Sequence, residues 1–219
     1  MMRFKYPRTP HLPWSPGATS DDIHQGNLSY FTGKQVVVTE KMDGENTTIY
    51  PNYVHARSLD SRFHPSRAWV KALQAKIGYK IPQGWRICGE NLYAKHSIEY
   101  RALSSYFMAF SVWNERNECL SWDYSKAFFN QLGLVTPKEL YIGLWCEKTI
   151  KNMVLDTKHQ EGYVVRVAEG FHFKNFAQNV SKWVRTNHVV TDKHWMHAEV
   201  VPNRLASNIP LKNKGEEDE

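Results

Sequence analysis

The sequence predicts an α+β fold, and three observations carry that expectation. Short β-branched and aromatic runs recur along most of the chain, bounded by turn residues. Only two stretches show helical spacing, and they interrupt the strands irregularly instead of alternating with them as a doubly wound sheet requires. No Gly-rich phosphate loop and no G-x-G-x-x-G follows any strand, so a nucleotide would have to be held some other way.

Pro7, Pro10, Pro13 and Pro16 favour an extended N-terminal arm, reaching to about residue 34, and Tyr6, Leu12 and Trp14 give it apolar side chains to pack on the body. Residues 35–39 form a β-branched run. Residues 47–50 and 53–57 read as a hairpin around Pro51-Asn52. From 66 to 77, Trp69, Leu73 and Ile77 recur every four residues, with Ser66 as a capping residue and Gly78 as a stop. Strand patterns follow at 85–88 and 106–113. A second helix at 122–132 is closed by Gly133, and late strands lie at 162–167 and 180–185. A domain is expected over 1–205, with an acidic flexible tail at 206–219.

The chain has 219 residues, which suits one domain with short appendages, and 42% are apolar, enough for a sizeable core. No apolar stretch reaches the ~20 residues that cross a bilayer, and the N-terminus lacks a signal-type run. A cytoplasmic protein without a membrane partner is expected. Cys88, Cys119 and Cys146 are far apart and form no C-x-x-C pair, so reduced thiols are expected rather than disulfides or a cysteine-held zinc. The net charge is +6 although Glu216, Glu217, Asp218 and Glu219 are all acidic. The body is therefore more basic than the total, which favours nucleic acid or nucleotide phosphates.

The strongest local signal is Glu40-Lys41-Met42-Asp43-Gly44-Glu45-Asn46, directly after an apolar strand. A lysine becomes a nucleophile when its amine loses its proton, which a depressed pKa favours. A strand end inside a pocket, near a metal ion or other cations, supplies that depression. The glycine lets the backbone approach a ligand closely. Alone, such a motif reads equally well as an exposed turn with a solvated lysine.

Five further segments change the balance: Arg57 in His55-Ala56-Arg57-Ser58; Cys88-Gly89-Glu90-Asn91-Leu92-Tyr93; Phe107-Met108-Ala109-Phe110-Ser111-Val112; Glu161-Gly162-Tyr163-Val164-Val165-Arg166; and Ser181-Lys182-Trp183-Val184-Arg185. In this order they resemble the motifs of the covalent nucleotidyltransferases, which comprise ATP-dependent DNA ligases, RNA ligases and mRNA capping guanylyltransferases. The 88–98 stretch and the run from Lys182 to His188 look most like the RNA ligase branch, in particular the nick-sealing RNA ligase 2 group. The resemblance implies a ligase adenylation domain, ATP-grasp-like, built on antiparallel sheets with flanking helices. Only about 34 residues follow Arg185, so no OB-fold domain is expected after the last motif.

The resemblance also implies roles. Lys41 is the nucleophile that takes AMP from ATP, and Asp43 belongs to the same catalytic motif. Glu40 faces the adenine amine, and Asn46 lies near the reacting ends. Arg57 lies near the ribose and phosphates, Glu90 accepts from ribose hydroxyls, and Phe110 stacks on the base. Glu161 holds Mg²⁺ or Mn²⁺. Lys182 neutralises the α-phosphate, with Arg185 as a second cation of that motif. The expected partner is RNA, as a nicked duplex or RNA/DNA hybrid, and the expected state is a monomer. Strand alternation places Phe107 and Trp113 on the face opposite Phe110, and Arg185 opposite Lys182. Ser111 stands where many relatives carry Asp, and Lys174 is a spare cation. His188, His194 and His197 lack a familiar zinc spacing, so phosphate contacts or packing are expected of them. The alternatives are a minimal ATP-dependent DNA ligase core, a capping-type guanylyltransferase labelled by GTP, and a non-catalytic RNA-binding module.

Overall fold

The computed structural model describes residues 2–60, 63–186 and 200–208. Two antiparallel sheets organise it. The first has four strands in the order β10-β8-β1-β7, formed by Val180–Val184, Gly162–Val167, Gln35–Lys41 and Glu139–Leu144. The second has six, in the order β3-β2-β4-β5-β6-β9: Tyr53–Ala56, Glu45–Tyr50, Arg86–Asn91, Phe107–Trp113, Glu118–Cys119 and Phe171–His172. Helices α1 (Ala68–Ile77), α2 (Trp122–Leu132), α3 (Glu147–Lys151) and α4 (Phe176–Asn179) flank them. The α+β expectation holds. No helix among the described residues is long and apolar enough to cross a membrane.

Three residues, Met42, Asp43 and Gly44, carry the chain from the first sheet to the second, because β1 ends at Lys41 and β2 begins at Glu45. The crossing is tight. A Cβ on Gly44 would lie 2.5 Å from the Asn91 carbonyl oxygen and 2.8 Å from Leu92 Cδ2, so only glycine passes there undistorted. Met42 anchors the turn in a small core with Leu92, Leu103, Tyr106 and Met108.

Two larger cores lie on the sheets. One gathers Val36, Val38, Trp113, Tyr163, Val165, Phe171 and Phe176. The other gathers Ile49, Val70, Ile87, Phe107, Ala109, Val112 and Phe129. Their division exposes a β-bulge in β5. Cys88 pairs with Ser111, but the next residue, Gly89, pairs with Ala109, leaving Phe110 as the extra residue. Before the bulge, Phe107 and Ala109 face one core; after it Val112 does, and Phe110 and Trp113 face the other. The expectation that Trp113 opposes Phe110 is thereby corrected: simple alternation does not survive a bulge.

α2 runs as the sequence predicts, with Ser121 capping it and Gly133 ending it at φ 68°. α1 begins later than expected. A 3₁₀ turn at Pro65–Arg67 precedes it, and His64 caps that turn by accepting from the Ser66 N–H, so Ser66 is buried within the turn and is not the cap. Cys88, Cys119 and Cys146 are free thiols.

The arm adds itself to the outer edge of β10. Lys182 N–H donates to the Pro10 carbonyl (2.9 Å) and Leu12 N–H donates to the Lys182 carbonyl (2.7 Å), in parallel register around His11. The arm then folds back, with Gln25 N–H on the His11 carbonyl. This covers an edge that would otherwise present unpaired backbone.

Gly162, opposite Lys41, lies against β10: a Cβ there would collide with the Trp183 carbonyl. Backbone cannot yield as a side chain can, so Gly162→Ala should cost about 1–3 kcal/mol in denaturant unfolding. Gly26→Ala, where nothing lies within 4 Å, should change stability by less than about 0.5 kcal/mol.

Candidate active site

A cleft of about 370 Å³ lies between the sheets. One wall is a face of the four-stranded sheet, where alternation brings Thr39 and Lys41 of β1, Val164 and Arg166 of β8, and Val180 and Lys182 of β10 to the same side. The other wall is Asn46, Glu90, Phe110, Ser111 and Trp113 of the six-stranded sheet, with Arg57 just past β3. The arm supplies a third side through Tyr6, Pro7, Arg8, Thr9 and Asp22.

Lys41 pairs in register with Gly162, which sets Glu161 beside it. The Lys41 amine donates to Glu161 Oε2 at 2.5 Å, and the Glu161 carboxylate is nearly buried. Burial by itself lowers the Lys41 pKa, but Glu161, Glu90 and Asp43 outweigh it and hold the amine above the ordinary lysine value. The depressed nucleophile expected from the sequence is thus not what this state shows. Glu161 touches the amine, Glu90 and Asp43 act on it through charge, and together they outweigh the cost of desolvation.

Glu90 is the counterpart. It faces Asn46 across β2 and β4. Burial, reinforced by Glu161 and Asp43, pushes its carboxyl up to about 8 against the pull of Lys41. Lys182 is held below the ordinary lysine value, first by burial and then by Lys41, while Asp22 and Glu161 oppose the shift. Asn46 Oδ1 is buried with no hydrogen-bond partner among the described residues, on a side chain that lines the cleft. A buried acceptor without a donor is costly, and a ligand hydroxyl or amine would satisfy it.

Of the residues singled out from the sequence, Lys41, Glu40, Asn46, Arg57, Glu90, Phe110 and Lys182 line the cleft. Glu161 reaches it through Lys41. Asp43 does not line it. Its carboxylate accepts from Ser97 Oγ and the Ile98 N–H, both at 2.7 Å, and its own N–H donates to Tyr100 Oη at 2.9 Å. It braces the crossing turn against the 97–100 loop and acts on Lys41 through charge. Arg185 lies one residue past β10, its N–H on the Glu161 carbonyl, and does not line the cleft. Lys174 does not line it either. His188, His194 and His197 lie outside the described residues.

The sequence reading missed Tyr6, Arg8, Asp22, Trp113 and Arg166. Trp113 was hidden by the bulge. Arg166 stood inside a quoted motif, but nothing announced its contacts. Its guanidinium donates to the Leu120 carbonyl (2.9 Å) and lies over Trp122 and Phe171, fastening β8 to the other sheet. The arm residues carry no local motif; a distant strand pairing puts them there.

No cluster of three or more His, Cys, Asp or Glu side chains arranged to hold a metal ion occurs among the described residues. Mg²⁺ and Mn²⁺ need less, since one or two carboxylates plus substrate phosphates suffice. Glu161 and Glu90 are hard oxygen donors crowded enough to push one carboxyl up, and a cation relieves such crowding. The residues fit.

A carboxyl whose pKa is higher in the fold than in the unfolded chain binds an extra proton when folded between the two values. The Glu90 contribution to stability should therefore fall as pH rises from about 5 to about 8. Glu90→Gln should remove that component, and melting scans should show the variant gaining on the wild type across the window. A constant difference would refute the buried, crowded carboxyl.

Known proteins share this fold. The family model described as RNA ligase matches residues 34–184, more than half of the chain. A search of curated proteins gives no match. Among solved structures, the Naegleria gruberi RNA ligase with PPi superposes with a TM-score of 0.53 at 16% identity, covering 84% of this chain and 61% of that one. An apo lysine-to-alanine variant of the Naegleria gruberi RNA ligase gives 0.52 at 17%, covering 71% and 50%. A glutamate-to-alanine variant with AMP and Mn gives 0.51 at 15%, covering 74% and 52%. The chain spans about half to three-fifths of the length of these ligases, and at such identities the likeness is one of fold. With the family model running from the start of β1 to the end of β10 and taking in both walls of the cleft, the chain belongs to the RNA ligase family.

Proposed function

We propose that this protein is an ATP-dependent RNA ligase that joins a 3′-hydroxyl to a 5′-phosphate through an AMP adduct on Lys41. The observation that carries the proposal is the presence of Lys41 and Lys182 on one sheet face, with the Glu161 carboxylate on the Lys41 amine and Glu90 lining the same cleft, which is of nucleotide size. A pure binding module has no need of a lysine set among three carboxylates.

In the first step the Lys41 amine attacks the α-phosphorus of ATP in line with departing pyrophosphate, giving a phosphoramidate. In the second, a 5′-phosphate oxygen attacks the same phosphorus, the P–N bond breaks, and AMP caps the end as A(5′)pp(5′)N. In the third, a 3′-hydroxyl attacks the capped phosphate and AMP leaves. Each step builds negative charge on phosphoryl oxygens, so catalysis is mostly position and charge. Lys182, partly buried, supplies a fixed cation for that charge. Phe110, aimed by its bulge, and Val164 form apolar surfaces for the base. Glu90 and Asn46 Oδ1 provide acceptors for ribose hydroxyls. A divalent cation, bound through Glu161 and the phosphates, would supply positive charge to the reacting oxygens and compete with Lys41 for the carboxylate. Glu161 so engaged would no longer hold the Lys41 proton, and burial together with Lys182 would then favour the neutral, nucleophilic amine. Resemblance of the 88–98 stretch to the nick-sealing group supports a nicked duplex or RNA/DNA hybrid as substrate.

Incubation with α-labelled ATP and Mg²⁺ or Mn²⁺ should label the protein covalently, and Lys41→Ala should abolish the label. Lys182→Ala should slow adduct formation by about 10²-fold or more. Label that persists without Lys41, or that comes from GTP in preference to ATP, would overturn the assignment.

A further inference from the structure

The arm lines one side of the cleft through Tyr6, Pro7, Arg8 and Thr9. The Tyr6 ring meets Phe110 edge-on at 5.4 Å and Phe176 at 5.2 Å. Four residues on, the Pro10 carbonyl accepts from the Lys182 N–H. Arg8 lies between these anchors and lines the cleft with Thr9 and Asp22. Only Thr9 separates Arg8 from Pro10, and the two extended steps span about 7 Å, within reach of an arginine side chain.

The cations on the cleft wall are Arg8, Lys41, Arg57, Arg166 and Lys182. Arg166 is buried and committed to backbone carbonyls. On the proposed chemistry Lys41 and Lys182 serve the α-phosphate. A triphosphate brings further negative charge into a cleft that Asp22 also lines, and the arm side offers Arg8 to meet it. Its guanidinium donates to the Asp21 carbonyl at 2.8 Å and lies 3.8 Å from Asp22, and its side chain is 49% exposed. Five N–H donors serve that one hydrogen bond among the described residues, which leaves donors for phosphate oxygens.

We infer that Arg8 contacts the outer phosphates of the incoming nucleoside triphosphate, so that the arm is a working wall of the nucleotide site as well as an edge strand. Asp22 sits behind the guanidinium as its positioning partner. The inference rests on the proposed nucleotide chemistry but concerns a different residue and a different part of the ligand.

The test is calorimetric binding of α,β-methylene ATP and of AMP, each with Mg²⁺, to the full chain and to Arg8→Ala and Arg8→Lys. Because Arg8 is half-exposed, its removal leaves the fold in place, which matching melting temperatures would show. Arg8→Ala should weaken the triphosphate about tenfold or more and AMP by less than about twofold. Arg8→Lys should recover part of the loss. Equal weakening of both ligands would make the arm merely structural, and unchanged triphosphate binding would remove Arg8 from the site; either result overturns the inference and leaves the Lys41 chemistry intact. A wild-type protein that binds neither ligand would overturn the nucleotide proposal itself, and this inference with it.

Discussion

One contact holds the site in its resting arrangement: the Lys41 amine against the Glu161 carboxylate. It arises from strand pairing. β1 and β8 run antiparallel with Lys41 opposite Gly162, and the residue before that glycine is Glu161. Gly162 lets the neighbouring β10 backbone approach where any side chain would collide. The same register aligns Val164 between Thr39 and Lys182, placing the second lysine on the cleft face. Around this pair the balance of charge opposes nucleophilicity, because three carboxylates stabilise the ammonium form. Activation is therefore conditional. On the proposed chemistry the amine would lose its proton once Glu161 were drawn elsewhere, which would tie reactivity to the arrival of substrate phosphates and their counter-ion.

The second sheet meets this wall through a local irregularity. The bulge at Phe110 turns its ring and the Ser111 and Trp113 side chains toward the cleft, while Phe107, Ala109 and Val112 stay in the other core. Without the extra residue the strand would show the cleft a different set of side chains. The Met42-Asp43-Gly44 crossing fixes how the two sheets meet, with Asp43 braced by Ser97, Ile98 and Tyr100. The motif that reads as chemistry in the sequence is also the joint between the walls.

Much of this was legible in the residues. The β-branched run at β1, the hairpin of β2 and β3, the α2 helix with its glycine stop, and β8 were readable because local pattern and tertiary demand agree there. The ordered motifs located seven of the cleft-lining residues. The failures have physical causes. β7 carries an apolar alternation in Leu140, Ile142 and Leu144, but Ile142 and Leu144 are exposed at a sheet edge, so the pattern does not mark a buried face. The Phe110 bulge changes facing without changing composition. The Lys41 shift depends mostly on Glu161, just before β8, and Glu90 of β4, both far away in sequence, and a strand-end lysine says nothing of their distance. The arm pairs with β10 through backbone groups, which any sequence possesses.

The most direct measurement is an NMR titration of the Lys41 amine, isotope-labelled at Nζ, in the ligand-free protein. The Glu161 contact predicts a midpoint above the ordinary lysine value of 10.5, and a lower midpoint in Glu161→Gln. A wild-type midpoint below that value would show an amine already poised without substrate, and would contradict the conditional activation described above.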